Sequence, residues 1–150
     1  MANDKVTIGR TDKVDLPDLS LFNVRAKIDT GAYTSSIHCS KLKVQEKEGK
    51  KYLYYTIAGA RLGKGESAKK FQTDKFKLKR IRSSNGQLQQ RYVIKTVIML
   101  FGKKIKAEFS LADRSRMKNP ILLGRKLLNG RFVVDVSKEH LSFLSKTSSE

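Results

Sequence analysis

The chain has little of what marks specialised protein classes. A single cysteine, Cys39, stands among 150 residues. That excludes a disulfide framework and a four-thiolate zinc site, and suits a reducing compartment. Two prolines and ten glycines are too few for collagen-like or low-complexity sequence. Tryptophan is absent, and the histidines are two, His38 and His140. No apolar run approaches the roughly 18–20 residues that cross a bilayer as a helix. The first ten residues mix Asp4, Lys5 and Thr7 without the apolar centre of a signal peptide. The expectation is one soluble, cytoplasmic domain over residues 1–150, which at 39% hydrophobic residues has enough apolar side chains for a core.

Acidic residues are the other scarcity. Against 32 Lys and Arg there are 14 Asp and Glu, a net charge of +18. The excess is uneven: residues 41–106 hold 19 basic and 4 acidic side chains, a net +15, while the rest holds 13 and 10, a net +3. Such a field attracts an anionic partner, nucleic acid or acidic protein, although a solvated basic surface has the same composition.

Helical periodicity is also rare. Alternating apolar and polar residues with turn chemistry between them predict strands at residues 22–28, 35–39, 51–57, 75–81, 92–100, 104–111 and 132–136. Phe101-Gly102-Lys103 reads as a hairpin turn, and Ser83-Ser84-Asn85-Gly86 as a second, because Asn-Gly tolerates positive φ. Residues 59–70 read as a loop. Residues 125–129 allow about one helical turn with Gly130 as its C-cap, and residues 145–150 read as a flexible tail. Many short strands and almost no helix predict an all-β barrel or sandwich.

The motif that carries chemistry is Asp29-Thr30-Gly31-Ala32, directly after an alternating strand. The tripeptide alone is weak, arising by chance in roughly a few per cent of chains of this length, and its plain reading is an Asx-type turn. About ninety residues later stands Ile121-Leu122-Leu123-Gly124-Arg125, a pair of hydrophobics closed by glycine. Together the two resemble the retropepsin-type aspartic proteases. Residues 26–32, Ser35-Ser36-Ile37-His38, Arg82 to Gly86, Asp113-Arg114 with Met117, and Pro120 to Arg125 with Leu128 are similar, in order, to the motifs of one prokaryotic family. That family is labelled "ATP-dependent zinc protease", is retropepsin-like, and is associated with RimK-type ATP-grasp glutamate ligases. The similarity spans roughly residues 8–137.

The resemblance implies a closed acid-protease barrel with one short C-terminal helix, and Asp29, Thr30 and Gly31 as the catalytic loop. Thr30 would brace that loop through its hydroxyl and Gly31 would allow close backbone approach. Ala32, Ile121, Leu122, Leu123, Gly124 and Arg125 would support it, and Arg82, Ser83, Ser84, Asn85 and Gly86 would form a flap or substrate-binding hairpin. Tyr33 stands where viral retropepsins commonly have an Asp that pairs with the arginine of the second motif. An aspartic protease holds two carboxylates on one water with one shared proton: one acts as base, the other as acid. One Asp-Thr-Gly supplies one carboxylate, so the resemblance implies a homodimer with Asp29 from each subunit.

No metal and no cofactor is expected. There is no His-Glu-x-x-His pair, and adjacent His38 and Cys39 point to opposite faces of a strand. No Gly-x-x-x-x-Gly-Lys-Ser/Thr phosphate loop occurs. Through the family's ligase association, the first function is an aspartic endopeptidase on acidic or glutamate-modified protein tails, with an ATP-grasp ligase as partner. Two alternatives come from other classes. One is a basic β-barrel that binds RNA or the ribosome through Tyr52, Tyr54, Tyr55 and Tyr92 interleaved with lysines. The other is a scaffold without turnover that regulates the ligase.

Overall fold

The structure is a computed structural model describing residues 4–57, 68–82, 86–113 and 118–148. Its strands are β1 (Val6–Ile8), β2 (Thr11–Leu16), β3 (Leu21–Ile28), β4 (Ser35–His38), β5 (Ser40–Lys47), β6 (Lys50–Ile57), β7 (Lys69–Thr73), β8 (Lys77–Arg82), β9 (Leu88–Leu100), β10 (Lys103–Ala112), β11 (Ile121–Leu123) and β12 (Phe132–Val134). Two helices follow the main strands, α1 (Arg125–Leu128) and α2 (Leu141–Ser148).

Six strands close on themselves in the order β10-β4-β11-β3-β2-β9, because β9 also pairs with β10. Closure removes the unpaired sheet edges that a short-stranded protein must otherwise protect. β8 adds outside β9, β5-β6-β7 form a separate antiparallel sheet, and β1 lies parallel to β12. The interior is apolar: Val14, Leu16, Ile37, Ile98, Leu100, Phe109, Leu111, Ile121 and Leu123 are almost wholly buried. Burial of each such side chain contributes about 1.5–3 kcal/mol. This is the all-β closed barrel expected of the resemblance.

Local chemistry explains the turns. Leu100 pairs with Lys103 across a two-residue loop in which Phe101 has φ +52 and Gly102 φ +75, the geometry that matches strand twist in hairpins. β8 and β9 are antiparallel, with Arg82 opposite Leu88, so the second expected hairpin is present on both flanks of its turn. Ser83, Ser84 and Asn85 lie outside the described residues, as does most of the loop expected at residues 59–70.

Two expectations need correction. β1, β2, β5 and β7 were not legible as strands, and β7 takes Lys69 and Lys70 from the loop expected at residues 59–70. In β2 the inward positions are Asp12, Val14 and Leu16, and a carboxylate at a core position breaks the alternation that marks a strand. The tail expected from residue 145 is instead helical through Ser148. Asp12 holds that helix down: it is fully buried, its Oδ2 accepts from the Ser142 amide at 3.0 Å, and its Oδ1 accepts from Phe143 at 3.0 Å. A remote aspartate thus performs the capping that local sequence lacks. Lys146 completes the docking by pairing with Asp15 at 2.7 Å.

Candidate active site

β3 ends at Ile28, and Asp29 starts the turn that leads into β4. β11 inserts between these two strands. It runs parallel to β3, with Ile121, Leu122 and Leu123 opposite Ala26, Lys27 and Ile28, and antiparallel to β4, with Ile121 opposite Ile37 and Leu122 opposite Ser36. The distant second motif therefore sits directly under the Asp29 loop, because its hydrophobic pair fills the barrel between the strands that flank it.

Hydrogen bonds convert that neighbourhood into a clamp. The Asp29 amide donates to the Leu123 carbonyl at 2.9 Å, and the Gly124 amide donates to Ser35 Oγ at 3.0 Å. The Ala32 carbonyl accepts from the Arg125 amide at 2.8 Å, and the Tyr33 carbonyl from the Lys126 amide at 2.9 Å. Gly124 is required by space: a Cβ there would lie 2.7 Å from the Tyr33 oxygen and 2.9 Å from the Ala32 oxygen. Within the loop, the Gly31 amide donates to Asp29 Oδ1 at 2.9 Å, which orients the carboxylate.

Asp29 is half-buried, whereas Thr30 and Gly31 are exposed, so the carboxylate is presented to solvent at the end of the strand. Thr30 is tied in by its carbonyl, which accepts from Arg125 Nη1 at 2.9 Å; among the described residues, its hydroxyl bonds nothing within the chain. The Arg125 guanidinium also lies over the Tyr33 ring, 5.8 Å from its centroid. The tyrosine thus engages Arg125 through a cation–π contact.

Asp29 to Ala32 and Ile121 to Arg125 are thus brought together. Arg82 and Gly86 belong instead to the β8–β9 hairpin, where Arg82 Nη1 donates to the Gly86 carbonyl at 2.6 Å. Among the described residues, no hydrogen bond or ion pair joins either to the Asp29 loop. Ser35, the acceptor for Gly124, had no chemical signal of its own in the sequence beyond its place in the second motif-like stretch.

The two histidines lie on different segments. His38 is buried at the end of β4, with Nδ1 3.7 Å from Asp113 Oδ1, while the His140 amide donates to Thr11 on the far side of β3. Among the described residues, no three His, Cys, Asp or Glu side chains cluster to hold a metal ion, so the donor set does not suit the zinc of the family label. Cys39 is buried, and that burial, reinforced by the nearby Asp113 charge, pushes its thiol up to about 12; such a thiol is unreactive. Tyr55 is likewise buried against Phe71, with ring centroids 5.1 Å apart and its phenol pushed up to about 12 by burial. It belongs to the core and offers no surface for stacking bases.

Comparisons with known proteins bear on the family and the fold. The chain is 30% identical over 138 residues to a Shewanella halifaxensis protein named "Probable alpha-L-glutamate ligase", covering 92% of this chain and 30% of that one. A Desulfotalea psychrophila protein of the same name is 28% identical over 146 residues, covering 91% of this chain and 31% of its own length. The chain therefore spans about 30% of the length of the curated relatives it matches. A Legionella pneumophila protein of unknown function, known from its crystal structure, superposes with a TM-score of 0.73 at 26% identity, over 93% of this chain and 99% of that one. A family model described as "Retropepsin-like aspartic endopeptidase RimB" matches residues 7–143, and the chain belongs to that RimB-like, retropepsin-like family.

Proposed function

We propose that the chain is an aspartic endopeptidase domain that acts as a homodimer, with Asp29 of each subunit at a shared site. The observation that carries this reading is the Asp29 carboxylate, held by the Gly31 amide at 2.9 Å on a solvent-facing loop that β11 and α1 clamp from below. One chain supplies one such carboxylate, and a two-fold axis is the simplest source of the second. Of the pair, the ionised carboxylate takes a proton from the attacking water. The protonated one donates to the scissile carbonyl, and the pair titrates as a unit.

The proposed substrates are acidic, glutamate-bearing protein tails, and the proposed partner is an ATP-grasp glutamate ligase. Support comes from the net charge of +18 and from relatives named as glutamate ligases, in which a stretch like this chain occupies about 30% of the length. A ligase that forms glutamyl amide bonds makes the kind of bond this domain would hydrolyse.

The test is Asp29→Asn against wild type on a protein bearing an oligoglutamate tail, with sedimentation run alongside. Because one member of a two-carboxylate machine is lost from each subunit, cleavage is expected to fall by at least about a thousand-fold while the dimer persists. Undiminished cleavage by the variant, or cleavage by a strictly monomeric chain, rejects the reading. Ligase binding with no cleavage by wild type would instead identify a regulatory scaffold.

A further inference from the structure

The outer face of the β9–β10 hairpin and α1 border a half-open cavity of about 310 Å³, whose lining includes Lys95, Lys106, Lys126, Arg131 and Glu108. Glu108 stands opposite Lys95 in the ladder, and Lys106 lies two residues before it on the same strand face. The Glu108 side chain is only 8% exposed; Lys79 from β8 holds it at 2.7 Å, and Lys126 from α1 pairs with its other oxygen. Counting Lys79, five cations and one carboxylate share this region, a net +4, and two of the five, Lys79 and Lys126, bond the carboxylate itself. Among the described residues, Lys95 and Lys106 have no carboxylate within ion-pair distance. The cavity is thus already built to hold one carboxylate and has cations left for more.

Its other features select the kind of anion. Ala107 and Leu127 give the lining an apolar part and no aromatic ring contributes, so methylene stems fit while a base finds nothing to stack on. Alternate residues of an extended strand repeat at about 6.8 Å. Lys106, in the lining, and Lys104, just beyond it on β10, follow this spacing, as do alternate side chains of an extended acidic peptide laid alongside. The Lys126 amide bonds the Tyr33 carbonyl at 2.9 Å, so the cavity adjoins the clamp under Asp29.

We propose that this cavity is a carboxylate-binding subsite that anchors an extended acidic peptide, through its glutamyl side chains, beside the Asp29 loop. The inference rests on the acidic-substrate part of the function proposed above but not on catalysis, since its test reads binding.

The experiment follows a fluorescent hexa-L-glutamate peptide by anisotropy, using Asp29→Asn protein so that nothing is cleaved. Lys95→Glu with Lys106→Glu is expected to weaken binding by at least roughly ten-fold. Lys41→Glu with Lys43→Glu, the same change in net charge on β5, is expected to leave it within about two-fold. Unchanged melting of both variants keeps folding out of the comparison. Equal weakening by the two variants would mean that only the overall field attracts the peptide, and overturns the subsite. So does absence of hexaglutamate binding, or displacement of the peptide by oligouridine at lower concentration than by hexaglutamate itself. Undiminished cleavage by Asp29→Asn would reject the catalytic reading and leave this result standing.

Discussion

At Gly124 a single hydrogen sits where a methyl group would meet two carbonyl oxygens, those of Tyr33 and Ala32, at 2.7 and 2.9 Å. Both carbonyls already accept amides from the start of α1, so neither can yield without unlocking the Asp29 loop. Gly124→Ala is therefore expected to lower stability by about 1–3 kcal/mol and to reduce activity further than that loss alone explains. Urea unfolding and peptide cleavage measured on the same preparation check both. Asp12 poses the opposite problem, a carboxylate with no exposure whose oxygens accept from the amides of Lys13, Ser142 and Phe143 at 2.9, 3.0 and 3.0 Å. Asp12→Ala leaves those donors without it and is expected to cost about 2–4 kcal/mol. Asp12→Asn, which keeps one acceptor oxygen, costs less. Amide exchange should locate the loss in α2.

Three elements meet at Glu108: it lies on β10, Lys79 comes from β8 and Lys126 from α1. Bonds from the two ammonium groups, Lys126 first, lower its carboxyl from the ordinary 4.5 to about 2. Because the folded value is the lower one, the contribution to stability is complete above about pH 4.5 and is lost as pH falls from there toward 2. Glu108→Gln is expected to flatten the urea midpoint over that window and to change little of its slope at neutral pH. A flat wild-type profile across the same range would contradict the linkage. The elements also show why so much of the barrel was readable. β3 alternates from Val24 onward, with Val24, Ala26 and Ile28 inward, and β9 alternates from Ile94 to Leu100. β2 was unreadable because its inward Asp12 serves a helix more than a hundred residues away.

For the whole molecule, the charge of +18 acts at longer range than any single pair. Screening shortens that range to about 10 Å at 0.1 M salt and about 3 Å at 1 M. Cleavage of an acidic tail is therefore expected to slow by at least about ten-fold in kcat/KM between low salt and 0.5 M, with an uncharged peptide nearly unaffected. Equal salt dependence for both substrates would disconnect the charge from recognition. The basic region was visible in the sequence as a stretch, residues 41–106, and folding divides it. Part lies on the separate β5-β6-β7 sheet, and part on the β8–β9–β10 face, where it meets α1.

What the sequence determined by itself was local: strand alternation, the Gly102 turn, the Asp29-Thr30-Gly31 loop and the hydrophobic pair closed by Gly124. Each is a nearest-neighbour matter of φ, side-chain period or residue size, and needs no partner to be recognised. Only the tertiary structure decided which distant pieces share a contact. It inserted β11 between β3 and β4, gave Asp12 to α2, laid the Arg125 guanidinium over the Tyr33 ring, and brought Lys79 and Lys126 to Glu108. Barrel closure makes those choices, since it brings into register strands whose separation in sequence carries no signal of their contact.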